Sequence, residues 1–422
     1  MAKVRVVYRC TECGAATPKW AGRCAACEAW NSLVEDVDLP DPVAGHNLGP
    51  SAPATPIGSV DASFAQPQST GIPELDRVLG GGLVPGSVTL LGGEPGIGKS
   101  TLLLQLLAQW PQRTLYVSAE ESAQQVRLRA ERLDAVRPEL WLLPETSLPH
   151  IIAAIEEVQP QLVVIDSIQS IADPDLPSAP GSVVQVRGCA HRLVGEAKRR
   201  NLPIVMVGHV TKEGGLAGPR VLEHVVDTVL SFEGDRHHSL RLLRAAKHRF
   251  GPTNELGVFE MAGAGLLGVP DASKLFLTDR RTGVAGSAIT PTLEGQRPLL
   301  VEVQALTNKV NPGVPPRRSA QGLDPGRLAL LLAVLERRSR LQMGQHEVFA
   351  SAVGGVRLTE PGADLPLCLA LVSALLNHPI PPDVVVFGEV GLAGELRQVA
   401  HAPRRLAEAA RMGFTRAIVP AN

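Results

Sequence analysis

Apolar residues in the middle of the chain form short runs that alternate with longer segments of mixed polarity. Short apolar runs bounded by turn residues are typical of buried strands, and apolar positions three or four residues apart are typical of helices. The predicted strands cover 88–91, 114–117, 162–165, 203–207 and 228–231, and the predicted helices cover 101–110, 123–133, 151–158 and 183–200. This alternation predicts an α/β domain over 71–268, with a mostly parallel sheet and helices on both of its faces.

The last part of the chain shows a different pattern, in which strands and helices do not alternate regularly. Predicted strands at 299–305, 384–389 and 417–419 and predicted helices at 327–338, 365–376 and 404–412 indicate a compact α+β domain over 271–422. Before the central domain, residues 38–70 are rich in proline, serine, alanine and glycine and have no helical or strand period. We therefore expect a flexible linker there.

Residues 1–37 contain two pairs of cysteines with CxxC spacing, Cys10 with Cys13 and Cys24 with Cys27. Two turns that present two thiolates each form a tetrahedral Zn²⁺ site, so this segment is predicted to be a four-cysteine zinc module. A redox role is the alternative, and it is disfavoured because neither CxxC pair begins a helix after a strand. Cys189 and Cys368 lie in predicted helices and are expected to be small buried apolar residues.

Composition sets limits without indicating a function. At 422 residues the chain is longer than one hydrophobic core usually supports, which indicates two or three domains. The 41 Lys and Arg residues nearly balance the 42 Asp and Glu residues, so any surface that binds a polyanion has to be local. The amino terminus lacks the apolar run of a signal peptide, and no apolar stretch is long enough to span a bilayer. We expect a cytoplasmic location and no membrane association.

The strand at 88–91 leads into a glycine-rich segment with the full spacing of a phosphate-binding loop, Gly-x-x-x-x-Gly-Lys-Ser. Glycines let backbone N–H groups approach phosphate oxygens, and the following helix directs its positive end at the same oxygens. Lys99 is expected to contact the β and γ phosphates of ATP, and Ser100 to bind Mg²⁺. The residues assigned to nucleotide binding are Gly93, Glu94, Pro95, Gly96, Ile97, Gly98, Lys99, Ser100 and Thr101.

ATP hydrolysis also requires a carboxylate near the metal ion and a group that activates water. Asp166 follows the apolar run 162–165, as in a Walker B strand, and is predicted to support Mg²⁺; capping of the next turn is the alternative. Glu120 and Glu121 follow the strand at 114–117, at the edge where α/β sheets bind ligands. We assign water activation to Glu120, although spacing does not separate the two glutamates, and both also favour the amino end of the next helix.

Three further residues are candidates for the catalytic site. His209 follows the strand at 203–207 and precedes a glycine-bearing loop, where a polar side chain can sense the γ-phosphate; a histidine that merely ends a strand is the alternative. Lys247 and Arg249 occupy alternate positions of an extended segment and therefore one face of it. They are predicted to complete a neighbouring subunit's ATP site as finger residues, whereas an isolated charge pair of this kind would be solvated surface.

With these motifs placed, nearly the whole chain resembles the bacterial RadA/Sms DNA-repair family. The resemblance rests on the four-cysteine module and on residues 71–80, 92–100, 117–122, 208–214, 218–224, 247–251 and 384–395. It implies a RecA-like P-loop ATPase core, a hexameric ring, ATP-driven movement on single-stranded DNA, and work on branched recombination intermediates beside the recombinase RecA. In this interpretation Lys212 and Arg220, in the loop after His209, contact DNA phosphates.

Two positions depart from the family's motifs. His248 stands where the Lys-Asn-Arg-Phe-Gly signature has asparagine, which keeps both cations but removes the central amide. Ala119 stands where glycine usually precedes the glutamates, a small change that leaves the placement of the carboxylates intact.

The carboxy-terminal region resembles the proteolytic domain of Lon, an ATP-dependent protease with a Ser–Lys dyad. Gly362 occupies the position of the serine, and no lysine follows Lys309. Without a hydroxyl nucleophile and an amine base, this Lon-protease-like domain is expected to be a scaffold. Arg317 and Arg318 are expected to give it a basic surface for DNA. The competing interpretation of the whole chain is a regulatory or proteolysis-linked ATPase switch that does not act on DNA.

Overall fold

A computed structural model describes residues 5–10, 15–38, 55–59, 66–209, 222–234, 240–311 and 315–421 of the chain. Most of the predicted linker, together with Cys13, Lys212 and Arg220, lies outside this described part. The chain divides into two compact units, of which the first comprises Met1–Glu233, Leu243–Thr253 and Ala262–Leu266, and the second Gly234–Leu242, Asn254–Met261 and Leu267–Asn422. In the described part, every helix is too short or too polar to cross a membrane.

The first unit begins with a three-stranded antiparallel sheet in the order β2-β1-β3. Its strands are β1 (Arg5–Cys10), β2 (Ala16–Thr17) and β3 (Leu33–Asp38). The buried centre of this sheet consists of Cys10, Cys24 and Leu33. So small a core cannot hold the segment by apolar packing alone, which fits a module whose stability comes from a bound metal.

The central part of the first unit alternates strands and helices. In chain order the elements are α1 (Pro73–Val78), β4 (Val88–Gly93), α2 (Lys99–Gln109), β5 (Thr114–Ser118), α3 (Ala123–Arg132), β6 (Leu140–Pro144), α4 (Leu148–Val158), β7 (Leu162–Asp166), α5 (Val183–Arg200), β8 (Ile204–His209) and β9 (Thr228–Glu233). Next in the chain come β10 (Leu240–His248), β11 (Leu256–Ala262) and β12 (Gly265–Gly268), where the chain passes between the two units; nearly all of β11 belongs to the second unit. β4, β5 and β7 are buried along their whole length, as parallel strands covered by helices on both faces are.

The strand order brings distant parts of the chain together. Within the first unit the strands from β9 to β6 are arranged as β9-β4-β8-β7-β5-β6 and pair in parallel. The register pairs Gly93 of β4 with His209 of β8, and Ser118 of β5 with Asp166 of β7. The carboxyl ends of β4, β8, β7 and β5 therefore lie side by side at one edge of the sheet, the edge that binds ligands in α/β proteins.

The predicted strands and helices of this region are present, with small differences at their ends. The helix predicted at 183–200 is α5 with the same bounds. The prediction missed α1, β6 and β10 to β12. β6 lies at the edge of the sheet and ends in Pro144, a residue that argues against a strand in sequence but is tolerated at a sheet edge.

The second unit forms an α+β domain, as predicted. Its elements are α6 (Ala272–Leu277), β13 (Ser287–Glu294), β14 (Arg297–Lys309), β15 (Arg318–Gln321), α7 (Pro325–Ser339), β16 (His346–Ala352), α8 (Asp364–Leu376), β17 (Val384–Val386), β18 (Glu389–Val390), β19 (Leu396–Arg397), α9 (Ala402–Arg411) and β20 (Arg416–Ile418). The main sheet has the order β15-β16-β14-β13-β17-β20. Val301 belongs to the main core and its neighbour Leu300 to a second cluster with Ala409 of α9, so both faces of the sheet are covered.

One predicted strand of this domain, at 384–389, was wrong in extent. The structure divides it into β17 and β18, with Gly388 between them. The backbone N–H of Gly388 donates to the oxygen of Gly362, and its own oxygen accepts from the N–H of Leu365. These contacts replace the ladder bonds that a continuous strand would need.

Candidate functional site

The phosphate-binding loop lies between β4 and α2. Lys99 begins the helix, and its Nζ donates hydrogen bonds to the main-chain oxygens of Gly93 and Glu94 at 2.8 and 2.9 Å. Burial lowers the pKa of Lys99, while the nearby carboxylates of Asp166 and Glu120 act in the opposite direction. The structure thus brings together the loop lysine and the two carboxylates that the sequence assigned to metal support and water activation.

Two glycines of the loop occupy positions that other residues do not fit. Gly98 has a φ of +114°, in the left-handed region that favours glycine. A Cβ on Gly93 would lie 2.6 Å from the main-chain oxygen of Phe232 in β9. Of the other residues assigned to nucleotide binding, Glu94, Pro95, Gly96 and Ile97 lie in the loop, and Ser100 and Thr101 lie in the first turn of α2. At this helix terminus the backbone favours bound anions.

Asp166 ends β7 and is buried. Tyr116 of the neighbouring strand β5 donates a hydrogen bond from its Oη to Oδ2 of Asp166 at 2.6 Å. Burial and the adjacent carboxylate raise the pKa of Tyr116 far above its usual value, so the phenol keeps its proton and remains a donor. Tyr116 therefore holds the Asp166 carboxylate in place beside the loop.

The two adjacent glutamates after β5 have different partners. Glu121 Oε1 lies 2.5 Å from Nη2 of Arg129 on α3. Glu120 instead accepts hydrogen bonds on Oε1 from the hydroxyl of Ser167 and, at 3.3 Å, from the hydroxyl of Ser170. Ser167 follows β7 directly and Ser170 ends the short turn after it, so Glu120 lies on the side of Asp166 and Glu121 lies on the side of α3.

His209 ends β8, and its backbone pairs with Gly93 at the start of the phosphate-binding loop. β8 lies between β4 and β7, so its end is flanked by the loop on one side and by Asp166 on the other. The segment that follows, with the predicted DNA contacts Lys212 and Arg220, lies outside the described residues.

The predicted finger residues lie at and just beyond the end of β10. Lys247 Nζ donates to the main-chain oxygens of Glu223 and Val226, at 2.6 and 2.8 Å. Arg249 Nη1 lies 3.2 Å from Oδ1 of Asp227, and the Arg249 side chain remains 51% exposed. Both cations thus contact the segment 223–227 of their own chain, and the Arg249 guanidinium keeps a side accessible to solvent.

Three thiols of the amino-terminal module converge. The Sγ atoms of Cys10, Cys24 and Cys27 lie within 4.8 Å of one another, and Cys10 and Cys27 are 3.5 Å apart. Cys13, the fourth predicted ligand, lies outside the described residues. A set of thiolates at this spacing has the donor chemistry of a structural zinc site, which is favoured over a redox pair because three sulfurs meet rather than two.

The two remaining cysteines are buried, as predicted. Cys189 and Cys368 lie inside helices α5 and α8. Burial raises the pKa of each thiol to about 12, which makes both chemically inert.

In the carboxy-terminal domain, Gly362 lies buried in the turn before α8. A Cβ added there would lie 3.5 Å from Nη1 of Arg405 and 3.5 Å from Cδ of Glu360. Arg405 is buried and donates to both oxygens of Glu360 through its two terminal nitrogens. An ion pair therefore lies beside the position where a serine nucleophile would stand.

The predicted basic surface of this domain lies at the start of β15. Arg317 and Arg318 are both exposed. The guanidinium carbon of Arg317 lies 5.9 Å from the centre of the half-buried Phe349 ring, within the range of a cation–π contact.

Sequence reasoning missed three residues that contact the carboxylates of Asp166 and Glu120: Tyr116, Ser167 and Ser170. The two serines carried a signal, since hydroxyl residues in the first turn after a strand that ends in aspartate lie at the ligand-binding edge of the sheet. Tyr116 carried no such signal, because its contact with Asp166 depends on the pairing of β5 with β7.

Three family models match the chain: an AAA domain over residues 53–215, a rubredoxin metal binding domain over residues 8–35, and subunit ChlI of Mg-chelatase over residues 352–422. A solved KaiC-like protein from Pyrococcus horikoshii OT3 is 20% identical, with a TM-score of 0.42, and the match covers 49% of this chain and 100% of that one. The fold, the loop and the thiol cluster define a P-loop ATPase with an amino-terminal zinc ribbon.

The relatives of the chain are similar to it over its whole length. It is 48% identical to the DNA repair protein RadA of Bacillus subtilis and 52% identical to that of Pseudomonas aeruginosa, over 100% of this chain and 93% and 94% of those proteins. The chain belongs to the DNA repair protein RadA family, as its motifs predicted. It is an ATP-hydrolysing enzyme of DNA repair.

Proposed function

We propose that this protein is a DNA-dependent ATPase motor of recombinational DNA repair. It binds single-stranded DNA as a hexameric ring in the cytoplasm and processes branched recombination intermediates beside RecA. The observation that carries the proposal is the convergence of Lys99, Glu120 and Asp166 at the sheet edge from which β8 leads into the loop with Lys212 and Arg220. Asp166, at the end of β7, and the segment with Lys212 and Arg220, which follows β8, thus start from neighbouring strands.

In this proposal each residue at the edge has a defined part in ATP hydrolysis. Lys99 neutralises charge that develops on the transferred phosphate, and Glu120 takes a proton from the attacking water. Asp166 and Ser100 offer oxygen ligands, the donor type that Mg²⁺ prefers. When bound, Mg²⁺ neutralises charge on the phosphate oxygens. His209, at the end of β8, senses the γ-phosphate.

The ring contributes a second set of residues. Lys247 and Arg249 act on the ATP bound by the adjacent subunit; the Arg249 side chain stays 51% exposed despite its ion pair with Asp227, which leaves it accessible to a neighbouring molecule. A cation supplied across a boundary stabilises the transition state only after assembly. Hydrolysis therefore depends on the oligomer.

DNA contacts come from two regions in this proposal. Lys212 and Arg220 contact phosphates from the loop after β8, and the exposed Arg317 and Arg318 contribute from the carboxy-terminal domain. The zinc module, with Cys10, Cys13, Cys24 and Cys27 as ligands, is held by one Zn²⁺.

The test is ATP turnover of the full chain with and without single-stranded DNA, over a range of salt concentrations. We expect strong stimulation by DNA that weakens as salt rises, since phosphate contacts release counterions. A double variant, Lys212→Ala with Arg220→Ala, should lose the stimulation and keep the basal rate. Basal turnover that no DNA changes would instead favour the regulatory switch. Light scattering with ATP measures the size of the ring.

A further inference from the structure

A short turn after β7 faces the carboxylate that we assign to water activation. The turn is the 3-10 segment Ile168–Ser170, preceded by the fully buried Ser167. The hydroxyls of Ser167 and Ser170 both donate to the same oxygen, Oε1 of Glu120. Two donors from one turn thus converge on one atom of a side chain that lies about 50 positions earlier in the chain.

The sheet register creates this arrangement. β5 and β7 are neighbours, and Ser118 pairs with Asp166, so the residues that follow the two strands leave the sheet side by side. The backbone N–H of Ala119 donates to the oxygen of Asp166 at 2.8 Å and continues the pairing beyond the strands. The positions of Glu120 and Ser167 relative to each other are therefore set by main-chain hydrogen bonds.

The hydroxyls are not needed to close the turn. Its closing bond runs between main-chain atoms, from the N–H of Ser170 to the oxygen of Ser167 at 3.2 Å. A second main-chain bond runs from the N–H of Ile171 to the oxygen of Ile168 at 3.3 Å. Serine side chains usually form hydrogen bonds to their own local backbone in such turns. Here both side chains instead donate to Glu120.

We propose that Ser167 and Ser170 are positioning residues that act through Glu120. Their hydroxyls clamp Oε1 and so fix the rotation of the carboxylate, which a general base needs in order to meet the attacking water in line with the phosphate. The inference rests on the proposed role of Glu120 in hydrolysis. The two serines lie outside the phosphate-binding motif, and that motif does not predict them.

The test compares Ser167→Ala, Ser170→Ala and the double variant in the full-length protein. We expect kcat for ATP to fall about 10-fold for a single variant and up to about 100-fold for the double variant, with KM changed less than about 2-fold. Ser170→Thr keeps a hydroxyl at a partly exposed position and should restore most of kcat. The matched control is Ser182→Ala, which removes a serine that only caps α5 and should leave kcat unchanged.

A double-mutant cycle with Glu120→Gln separates positioning from a structural role. If the serines act through Glu120, Ser170→Ala causes no further loss of single-turnover rate in the Glu120→Gln protein. The clamp would be overturned if Ser170→Ala lowered the single-turnover rate equally in the wild-type and the Glu120→Gln protein. It would also be overturned if the serine variants kept wild-type kcat while Glu120→Gln was inactive. Wild-type turnover by Glu120→Gln would overturn the proposed role of Glu120 itself, and the clamp with it. If Ser167→Ala fails to fold, the partly exposed Ser170 carries the same comparison.

Discussion

Arg129 on α3 binds Glu121 with an N–O distance of 2.5 Å, and this contact distinguishes two carboxylates that are adjacent in the chain. Both glutamates lie in the bend after β5, and their side chains take different partners. Because Glu121 is committed to α3, Glu120 is the residue that reaches the serines after Asp166. We therefore expect the loss of Glu120 and the loss of Glu121 to have different consequences.

We expect Glu120→Gln to bind ATP normally and to lose at least ~100-fold in turnover, since a general base contributes a factor of that order. Glu121→Gln, the matched control, should keep most of its turnover because only its ion pair with Arg129 of α3 is weakened. Steady-state hydrolysis and equilibrium binding of a fluorescent ATP analogue measure both effects. Comparable losses in the two variants would contradict the assignment.

Lys99→Ala should lose most ATP turnover while the protein still folds. The ammonium is the only group in the loop motif that carries a full positive charge toward the phosphates, and its removal also leaves the Gly93 and Glu94 oxygens without this donor. Turnover and thermal unfolding are measured on the same preparation. DNA-stimulated hydrolysis that survives in a folded Lys99→Ala protein would refute the site.

Freshly purified reduced protein should contain one zinc ion per chain, measured by elemental analysis. Cys24→Ser should lose the zinc, because Cys24 lies buried among the converging thiols. Cys368→Ala is the control and should keep it. A chelator should unfold the amino-terminal module and leave the thermal transition of the ATPase core nearly unchanged, and a zinc-free wild-type protein would rule out the centre.

Mixing two inactive variants tests whether Arg249 acts across a subunit boundary. Arg249→Ala and Lys99→Ala should each be inactive alone and should recover part of the turnover together, since mixed rings contain interfaces with an intact loop and an intact arginine. The recovery should depend on protein concentration and fall with salt. Arg244→Ala, on the strand β10 that ends just before Arg249, serves as the control and should remain active alone. No recovery in rings shown to exchange subunits would mean that Arg249 acts within its own chain.

Arg405→Ala should destabilise the carboxy-terminal domain by about 3–5 kcal/mol, because it leaves the Glu360 carboxylate without its buried partner. Burial alone would raise the pKa of Glu360, but hydrogen bonds from Arg405 and Thr292 outweigh it and hold the pKa below its usual value of 4.5.

A carboxyl whose pKa is lowered by folding stabilises the protein at pH values above its unfolded-state pKa. This contribution disappears as the pH falls through the folded-state pKa. The difference between wild type and Arg405→Ala should therefore be complete at neutral pH and shrink on acidification below about pH 4.5. Denaturant unfolding at several pH values measures it. Arg416→Ala, which removes an exposed pair with Asp383, is the control and should change stability little.

The sequence by itself determined the class of chemistry and most of the elements around it. The phosphate-binding loop is a local motif whose strand, glycines, lysine and helix are consecutive, so its geometry follows from neighbouring residues alone. The same holds for the paired CxxC spacing and for α5, where apolar residues recur with the period of a helix.

Only the tertiary structure decided which of two adjacent glutamates joins Asp166, and which side chains hold those carboxylates. Tyr116 reaches Asp166, and Glu120 reaches Ser167, because β7 lies beside β5 in a fixed register, a pairing between segments about 50 residues apart. The same reasoning applies to Gly362, whose surroundings are filled by Arg405 from α9. Strand order and helix docking depend on the summed packing of the whole domain, so no local pattern in the chain specifies these contacts.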